Sequence, residues 1–320
     1  MNQASLIRLF KISLRDMLAS YPENPFLRLL LSIIFALPAL RFAYLLVRFN
    51  GDISRKGVQP AAERLFREFY RSVQVHGKPP TEPTEGVGKA PQGTLAQGKP
   101  PTGLLIVANH PGVGDSLALL SVLARPDIHL VAAERDFFYA LPALLPYLIL
   151  VPQDPVKRNG VVRAMVKALK QGETVVLYPA GEIEPDPILH PESTMLKSWS
   201  TVIGLLVRLA RQGSFDFSIA TAITANVLPP HVLGKAGAIT KEAQEKREKR
   251  ALGIIIGLGA AKRDPVILVW PYQVRASILP NDSAEAITGH IMDEVISRFH
   301  RDFPVGEAGS LLQGSSAQVL

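Results

Sequence analysis

The sequence predicts an α/β fold, a mostly parallel sheet flanked by helices, behind a separate N-terminal helical segment. Three observations predict it. From residue 103 onward, short apolar runs alternate with longer stretches of helical periodicity, the pattern of strands joined by crossover helices. The runs are continuous in Val, Ile, Leu and Ala rather than alternating, as in strands covered on both faces. Residues 1–58 are of different composition, apolar with basic interruptions.

Residues 1–25 set Arg8, Lys11 and Arg15 among Leu6, Leu9, Phe10, Ile12, Leu14, Met17 and Leu18. This reads as an amphipathic helix ended by Tyr21-Pro22 and Asn24-Pro25. The apolar stretch Phe26 to Phe49 is about long enough to span a bilayer. Arg28 and Arg41 interrupt it, Pro38 breaks it and Arg48 ends it. A central Arg is costly in hydrocarbon, so the reading is two helices lying in the membrane interface, hinged near Pro38. No small-residue cleavage site follows the apolar run, which argues against a secretory signal.

Residues 59–303 form the expected main domain. Ala62, Leu65, Phe66, Phe69 and Tyr70 fall on one side of a helix, and Ser72 to Gly77 alternates as a short strand. Residues 78–102, rich in Pro, Gly, Thr and Gln, read as a flexible loop. Strands are expected at 103–108, 128–132, 147–151, 174–178, 217–225 and 266–276, and helices at 116–124, 136–144, 159–171, 195–212, 239–250 and 282–299. Lys241 to Arg250 is a charge run with i,i+4 pairs, a solvated helix face or a contact for anionic headgroups. Residues 304–320 read as a disordered tail.

The chemistry-bearing stretch is Leu104-Leu-Ile-Val-Ala-Asn-His-Pro-Gly-Val-Gly-Asp-Ser116. A buried-strand pattern ends at Asn109-His110, a tight turn holds Pro111, Gly112 and Gly114, and Asp115 opens a helix. That sets an imidazole and a carboxylate at the carboxyl end of a strand, where α/β sheets bind ligands. Asp115 can hold one ring nitrogen of His110 protonated and leave the other as a general base. The plainer reading is that Asp115 caps the helix and His110 satisfies the turn.

Composition excludes other classes. There are no cysteines, hence no disulfide, thiolate nucleophile or Cys-ligated zinc. No H-E-x-x-H, G-x-S-x-G or dinucleotide fingerprint occurs, and His129, His190, His231, His290 and His300 are scattered. No metal site is expected. The net charge of +7 suits an anionic membrane surface or acidic substrates. No basic stripe interleaved with aromatics points to nucleic acid, and none is expected as a partner.

Three further blocks follow His110. Leu148-Ile-Leu-Val151 leads into Pro152-Gln-Asp-Pro-Val-Lys-Arg158; Thr174-Val-Val-Leu-Tyr178 leads into Pro179-Ala-Gly-Glu-Ile-Glu184; Phe217 to Ile223 leads to Val227-Leu-Pro229. Together the four blocks resemble the PlsC-like glycerolipid acyltransferase family over roughly residues 70–300. In that pattern an H-x4-D block, a basic block, an F-P-E-G-T-R-type block and an apolar block ending in Pro follow in this order. The third block departs: Ala180 stands where the family usually has Glu, and Glu182-Ile183 where it has Thr-Arg. Those variants look more like the hemolysin-type and ornithine-lipid branch.

The resemblance implies transfer of a fatty acyl group from an acyl thioester to the hydroxyl of a glycerolipid or lysophospholipid. His110 would be the base and Asp115 its orienting partner. Asn109, Gly112, Gly114 and Gly181 would line the substrate site, with backbone N–H groups around Gly112 to Gly114 and at Gly181 as oxyanion donors. Lys157 or Arg158 would hold phosphate of donor or acceptor, with Lys197 a further basic candidate, and Glu182 would take over the role of the family's missing Glu. No cofactor is implied beyond the co-substrate, acyl-CoA or acyl carrier protein. The partners implied are a lipid acceptor and a membrane surface, approached from its cytoplasmic face. Two alternatives stay open: an N-acyltransferase acting on an amino-acid headgroup, and a lipid-binding protein of the same fold without activity.

Overall fold

The computed structural model describes residues 4–19, 21–80, 102–123, 125–188, 198–227, 263–302 and 318–319. Helices α1 (Leu6–Leu18), α2 (Pro25–Lys56) and α3 (Val58–Phe66) precede β1 (Val73–His76). Then come β2 (Gly103–Ala108), α4 (Val113–Val122), β3 (Ile128–Ala133), α5 (Asp136–Tyr139), β4 (Leu148–Val151), α6 (Asn159–Lys170) and β5 (Thr174–Leu177). α7 (Val202–Gln212), β6 (Phe217–Ala225), β7 (Val266–Arg275), α8 (Ala284–Asp302) and β8 (Gln318–Val319) complete the described elements.

The strands lie in one mixed, mostly parallel sheet ordered β4-β3-β5-β2-β6-β7-β1-β8. β4, β3, β5, β2 and β6 run parallel, β7 runs antiparallel to β6, and β1 pairs parallel to β7. Successive residues of β2 point to opposite faces. Leu104, Ile106 and Ala108 pack with buried residues of α1 to α4, whereas Leu105 and Val107 pack with α6, α7 and α8. Both faces are covered, which is why the runs are apolar throughout.

The strand order creates a switch point. From β2 the chain leaves through α4 on one face to reach β3; from β5 it reaches β6 past β2, with α7 on the other face. The loops after β2 and β5 therefore part to opposite sides and leave a crevice between two adjacent strands. Such crevices, outside the carboxyl ends of the strands, are where open α/β sheets take their ligands.

α2 corrects the expected hinge at Pro38: it is one helix of 32 residues with Pro38 inside it. A proline removes one helical N–H, but here α1 splints the helix. Met17 packs on Ala39, Tyr21 on Phe35, and Leu9 joins the cluster that holds Ala43 and Leu46. The two interior arginines of its body-facing half, Arg41 and Arg48, both reach Glu68. The second half of α2 buries Leu45, Leu46, Phe49 and Ile53 in the same core as α3 and α4, so packing is continuous across residue 58. The first half leaves Phe26 (78% exposed), Leu29, Leu30, Ile33, Ile34, Leu37 and Leu40 uncovered, and Tyr44 one turn further on is exposed too. The helix is long and apolar enough to cross a membrane. Arg15 of α1 meets Asp136 of α5, just past the carboxyl end of β3, at 3.2 Å.

Two other helices are shorter than expected. The stretch 136–144 is helical only to Tyr139, because Pro142 and Pro146 cannot continue the ladder. α7 begins at Val202 rather than 195; residues 198–200 are not helical, and the Ser200 N–H is bonded to the Pro179 carbonyl at 2.9 Å. The helix expected at 239–250, its charge run, Lys197, most of the loop at 78–102 and most of the tail at 304–320 lie outside the described residues.

Candidate active site

At the crevice β2 ends and the chain turns into α4. Asn109 is fully buried, and its side-chain amide donates to the Thr224 carbonyl at 3.0 Å and accepts from the Thr224 N–H at 2.7 Å. Expected among the substrate-binding residues, it instead ties the end of β2 to β6 and so fixes where His110 starts. The His110 ring stands 29% exposed above it, with Nδ1 at 2.7 Å from Oδ2 of the fully buried Asp115.

A carboxylate only accepts, so Nδ1 carries the proton and the lone pair is on Nε2. The same Asp115 Oδ2 accepts from the Gly112 N–H at 3.2 Å, and Oδ1 accepts from the Ser116 hydroxyl at 3.0 Å. The capping reading and the orienting reading are thus both realised: one carboxylate closes the first turn of α4 and holds the imidazole. Position N3 suits this, because a carboxylate there meets the orphan N–H groups and positive pole of the helix.

The Tyr178 ring lies 4.8 Å from that of His110, tilted by 34°. Its hydroxyl is buried beside Ser116, without a well-aligned hydrogen bond to it. Burial and the Asp115 charge push this hydroxyl well above the usual phenol range, so it stays neutral. Tyr70, buried and stacked on Phe66, donates to the Val227 carbonyl at 2.9 Å. Its hydroxyl fills the space beside Gly114, where an added methyl group would strike it. The Tyr70 hydroxyl by itself is enough to call for glycine at 114. Gly114→Ala is expected to lower the free energy of unfolding by about 1–3 kcal/mol, the usual cost of overpacking. Gly160→Ala, on α6 with open space around it, should be neutral or slightly stabilising. Urea unfolding of both variants checks the contrast.

The expected oxyanion donors need correction. The Gly112 N–H is spent on Asp115 and the Gly181 N–H on the Tyr178 carbonyl at 3.2 Å. Gly181 has φ +67°, which is why a glycine turns the chain there. Val113 and Gly114 are the first residues of α4, where backbone N–H groups reach no intrahelical carbonyl; they are the donors the helix offers.

The third block is arranged differently from expectation. Glu182 is half-exposed, whereas Glu184 is 2% exposed. Glu184 Oε2 accepts from the His110 N–H at 2.8 Å, its own N–H donates to the His110 carbonyl at 2.8 Å, and Oε1 accepts from Trp199 Nε1 at 3.2 Å. Asp186, also buried, accepts from the Ile188 and Val227 N–H groups. Half-buried Arg263, its guanidinium pKa lowered by burial, lies by the carboxylates of Asp186 and Asp264.

Lys157 and Arg158 are exposed on a short turn after β4. β3 and β5 separate β4 from β2, so at about 4.8 Å per strand the carboxyl end of β4, from which this turn departs, is roughly 14 Å along the rim from that of β2. Among the described residues no group of three His, Asp or Glu side chains is placed to hold a metal ion.

No family model matches the chain. Among solved structures, it is similar to the crystal structure of the 1-acyl-sn-glycerophosphate (LPA) acyltransferase PlsC from Thermotoga maritima. That similarity covers 92% of this chain and 99% of that one, at 15% identity and a TM-score of 0.45.

Proposed function

We propose that this protein is a membrane-associated acyltransferase that moves a fatty acyl group from an acyl thioester to the hydroxyl of a glycerolipid or lysophospholipid. The observation that carries the reading is the 2.7 Å contact between His110 Nδ1 and the buried Asp115 carboxylate, at the switch point of a parallel sheet. His110 Nε2 takes the proton of the acceptor hydroxyl as its oxygen adds to the thioester carbonyl. Asp115 stabilises the imidazolium that results. The N–H groups that open α4 face the negative charge gathering on the carbonyl oxygen. Collapse of the tetrahedral adduct breaks the C–S bond; the thiolate leaves and takes the proton from His110. The thioester is already activated, so the scheme uses no serine or cysteine nucleophile.

Two features support the partners. The uncovered stripe of α2 suits a lipid surface, and the contact of Arg15 with Asp136 joins the α1–α2 hairpin to the rim that carries His110. The distance of Lys157 and Arg158 from His110 suits a donor whose phosphates sit at the far end of a long arm, as in acyl-CoA or acyl carrier protein. The cytoplasmic face is the side on which both donors occur.

The carboxylates of the third block favour an acceptor without a phosphomonoester next to the reacting group. A dianionic phosphate calls for paired cations, preferably Arg. Here the position of the family's Arg holds the buried Ile183, and Glu182 and Glu184 flank it. The same feature supports the second reading, N-acylation of an amino-acid headgroup. A labelled acyl thioester tested against glycerol 3-phosphate, lysophosphatidic acid, headgroup-bearing lysophospholipids and acylated amino acids decides. The expected order of kcat/KM puts both phosphomonoesters last. Highest kcat/KM with either would remove the acceptor argument, and transfer to none would favour a lipid-binding protein.

A further inference from the structure

We infer that Glu184 is a positioning residue for His110, holding its main chain so that the imidazole presents Nε2 to the crevice. The inference rests on His110 being the general base. Its basis is a clamp that the reaction scheme does not use. β2 and β5 pair in register as far as Val107 and Leu177. Beyond them the chains diverge, and the next tie is the reciprocal pair between the main chain of His110 and Glu184, both bonds at 2.8 Å. One residue thus grips the His110 peptide on its N–H and its carbonyl, while Asp115 holds the imidazole at Nδ1.

The residue type carries the argument further. Burying a carboxylate costs several kcal/mol unless its oxygens are well partnered, and a neutral acceptor would satisfy a single N–H. Glu184 uses both oxygens on donors from separate segments, the His110 N–H and the Trp199 indole. Trp199 is 4% exposed and precedes Ser200, whose N–H is bonded to the Pro179 carbonyl. The carboxylate therefore joins the loop after β2, the loop after β5 and the approach to α7 beneath the imidazole. A shift of about 1 Å in a catalytic group can cost roughly 10²-fold in rate, so the clamp matters to turnover more than to binding.

The test uses the chemistry of the two oxygens. Glu184→Gln offers one acceptor and one NH2 group, so it cannot take both the His110 N–H and the Trp199 N–H. Trp199→Phe removes the second donor. Glu184→Gln is expected to lower kcat by about 10- to 100-fold, with KM for the acyl thioester within about threefold and a melting temperature lower by a few degrees, as one buried N–H left unpaired requires. Glu184→Gln/Trp199→Phe should recover most of that loss. Equal kcat in the single and double variants, or near-wild-type kcat in Glu184→Gln, overturns the inference.

If wild-type protein transfers no acyl group to any acceptor, the acyltransferase reading fails and the clamp is judged separately. In protein labelled with 15N-histidine, the His110 Nδ1–H resonance should persist in wild type and double variant and be broadened or displaced in Glu184→Gln. An identical resonance in all three overturns the clamp by itself.

Discussion

His110→Ala lowers kcat by about 10² to 10⁴-fold, the range a positioned general base contributes, and leaves the fold intact. The ring is 29% exposed, so truncating it opens no closed cavity. The main-chain bonds that tie residue 110 to Glu184 do not involve the imidazole. Asp115→Asn should cost at least as much turnover by another route. Its amide can offer an NH2 where His110 Nδ1 now donates, which favours the tautomer with the lone pair on the wrong nitrogen. Asp115 also closes the first turn of α4 through the Gly112 N–H, so this variant loses about 1 kcal/mol of stability as well. Circular dichroism and melting temperature alongside the acyl-transfer assay separate the two effects. Near-wild-type turnover by well-folded His110→Ala would remove the imidazole from the mechanism.

Replacing Phe26, Leu29, Ile33 and Leu37 together by Glu releases the protein from lipid vesicles without unfolding it. These side chains are between 63% and 78% exposed and lie along one side of α2. Burying each in hydrocarbon is worth about 2 kcal/mol, so losing all four weakens partitioning by roughly six decades. The body of the protein is spared, because the buried residues of α2 begin at Ala39. Removing residues 1–57 outright would be a poorer test, since it also strips Leu45, Leu46, Phe49 and Ile53 from the core. Co-sedimentation with vesicles, at low and high salt, reads the result. Salt screens charge but not apolar area, so wild type should stay bound at high salt. Complete release of wild type by salt would make the attachment electrostatic.

Much of the fold was legible because the strands are buried on both faces. The runs at 103–108 and 217–225 stand where expected, since an unbroken apolar run needs no phase. Helix ends were harder. Pro38 reads as a break, yet Met17 and Leu9 of the neighbouring helix, with Tyr21 just beyond it, hold α2 through it, and such support is invisible to local sequence. His110 and Asp115 were legible because one short turn joins them. Glu184 was not singled out over Glu182: its partners, His110 and Trp199, are 74 and 15 residues away. Two residues apart, the glutamates would share a face of an extended segment, so alternation could not separate half-exposed Glu182 from buried Glu184. Gly114 shows the same limit, its glycine being dictated by Tyr70. Lys157 and Arg158 were identified as a basic pair, but their distance from His110 depends on strand order, which spacing does not encode.

The insertion of β5 between β3 and β2 has a consequence for the order of events during synthesis. β2 is flanked by β5 and β6, and the first of those pairings joins Leu104 to Thr174, the second Gly103 to Phe217. The strand that delivers His110 therefore has no neighbour until residue 174 has left the ribosome, and only one until residue 217. Such long loop closures are slow to nucleate. The α1–α2 hairpin, in contrast, closes through contacts local in sequence and is complete by residue 56. The part of the chain suited to a lipid surface is thus available well before the base has a sheet to stand on.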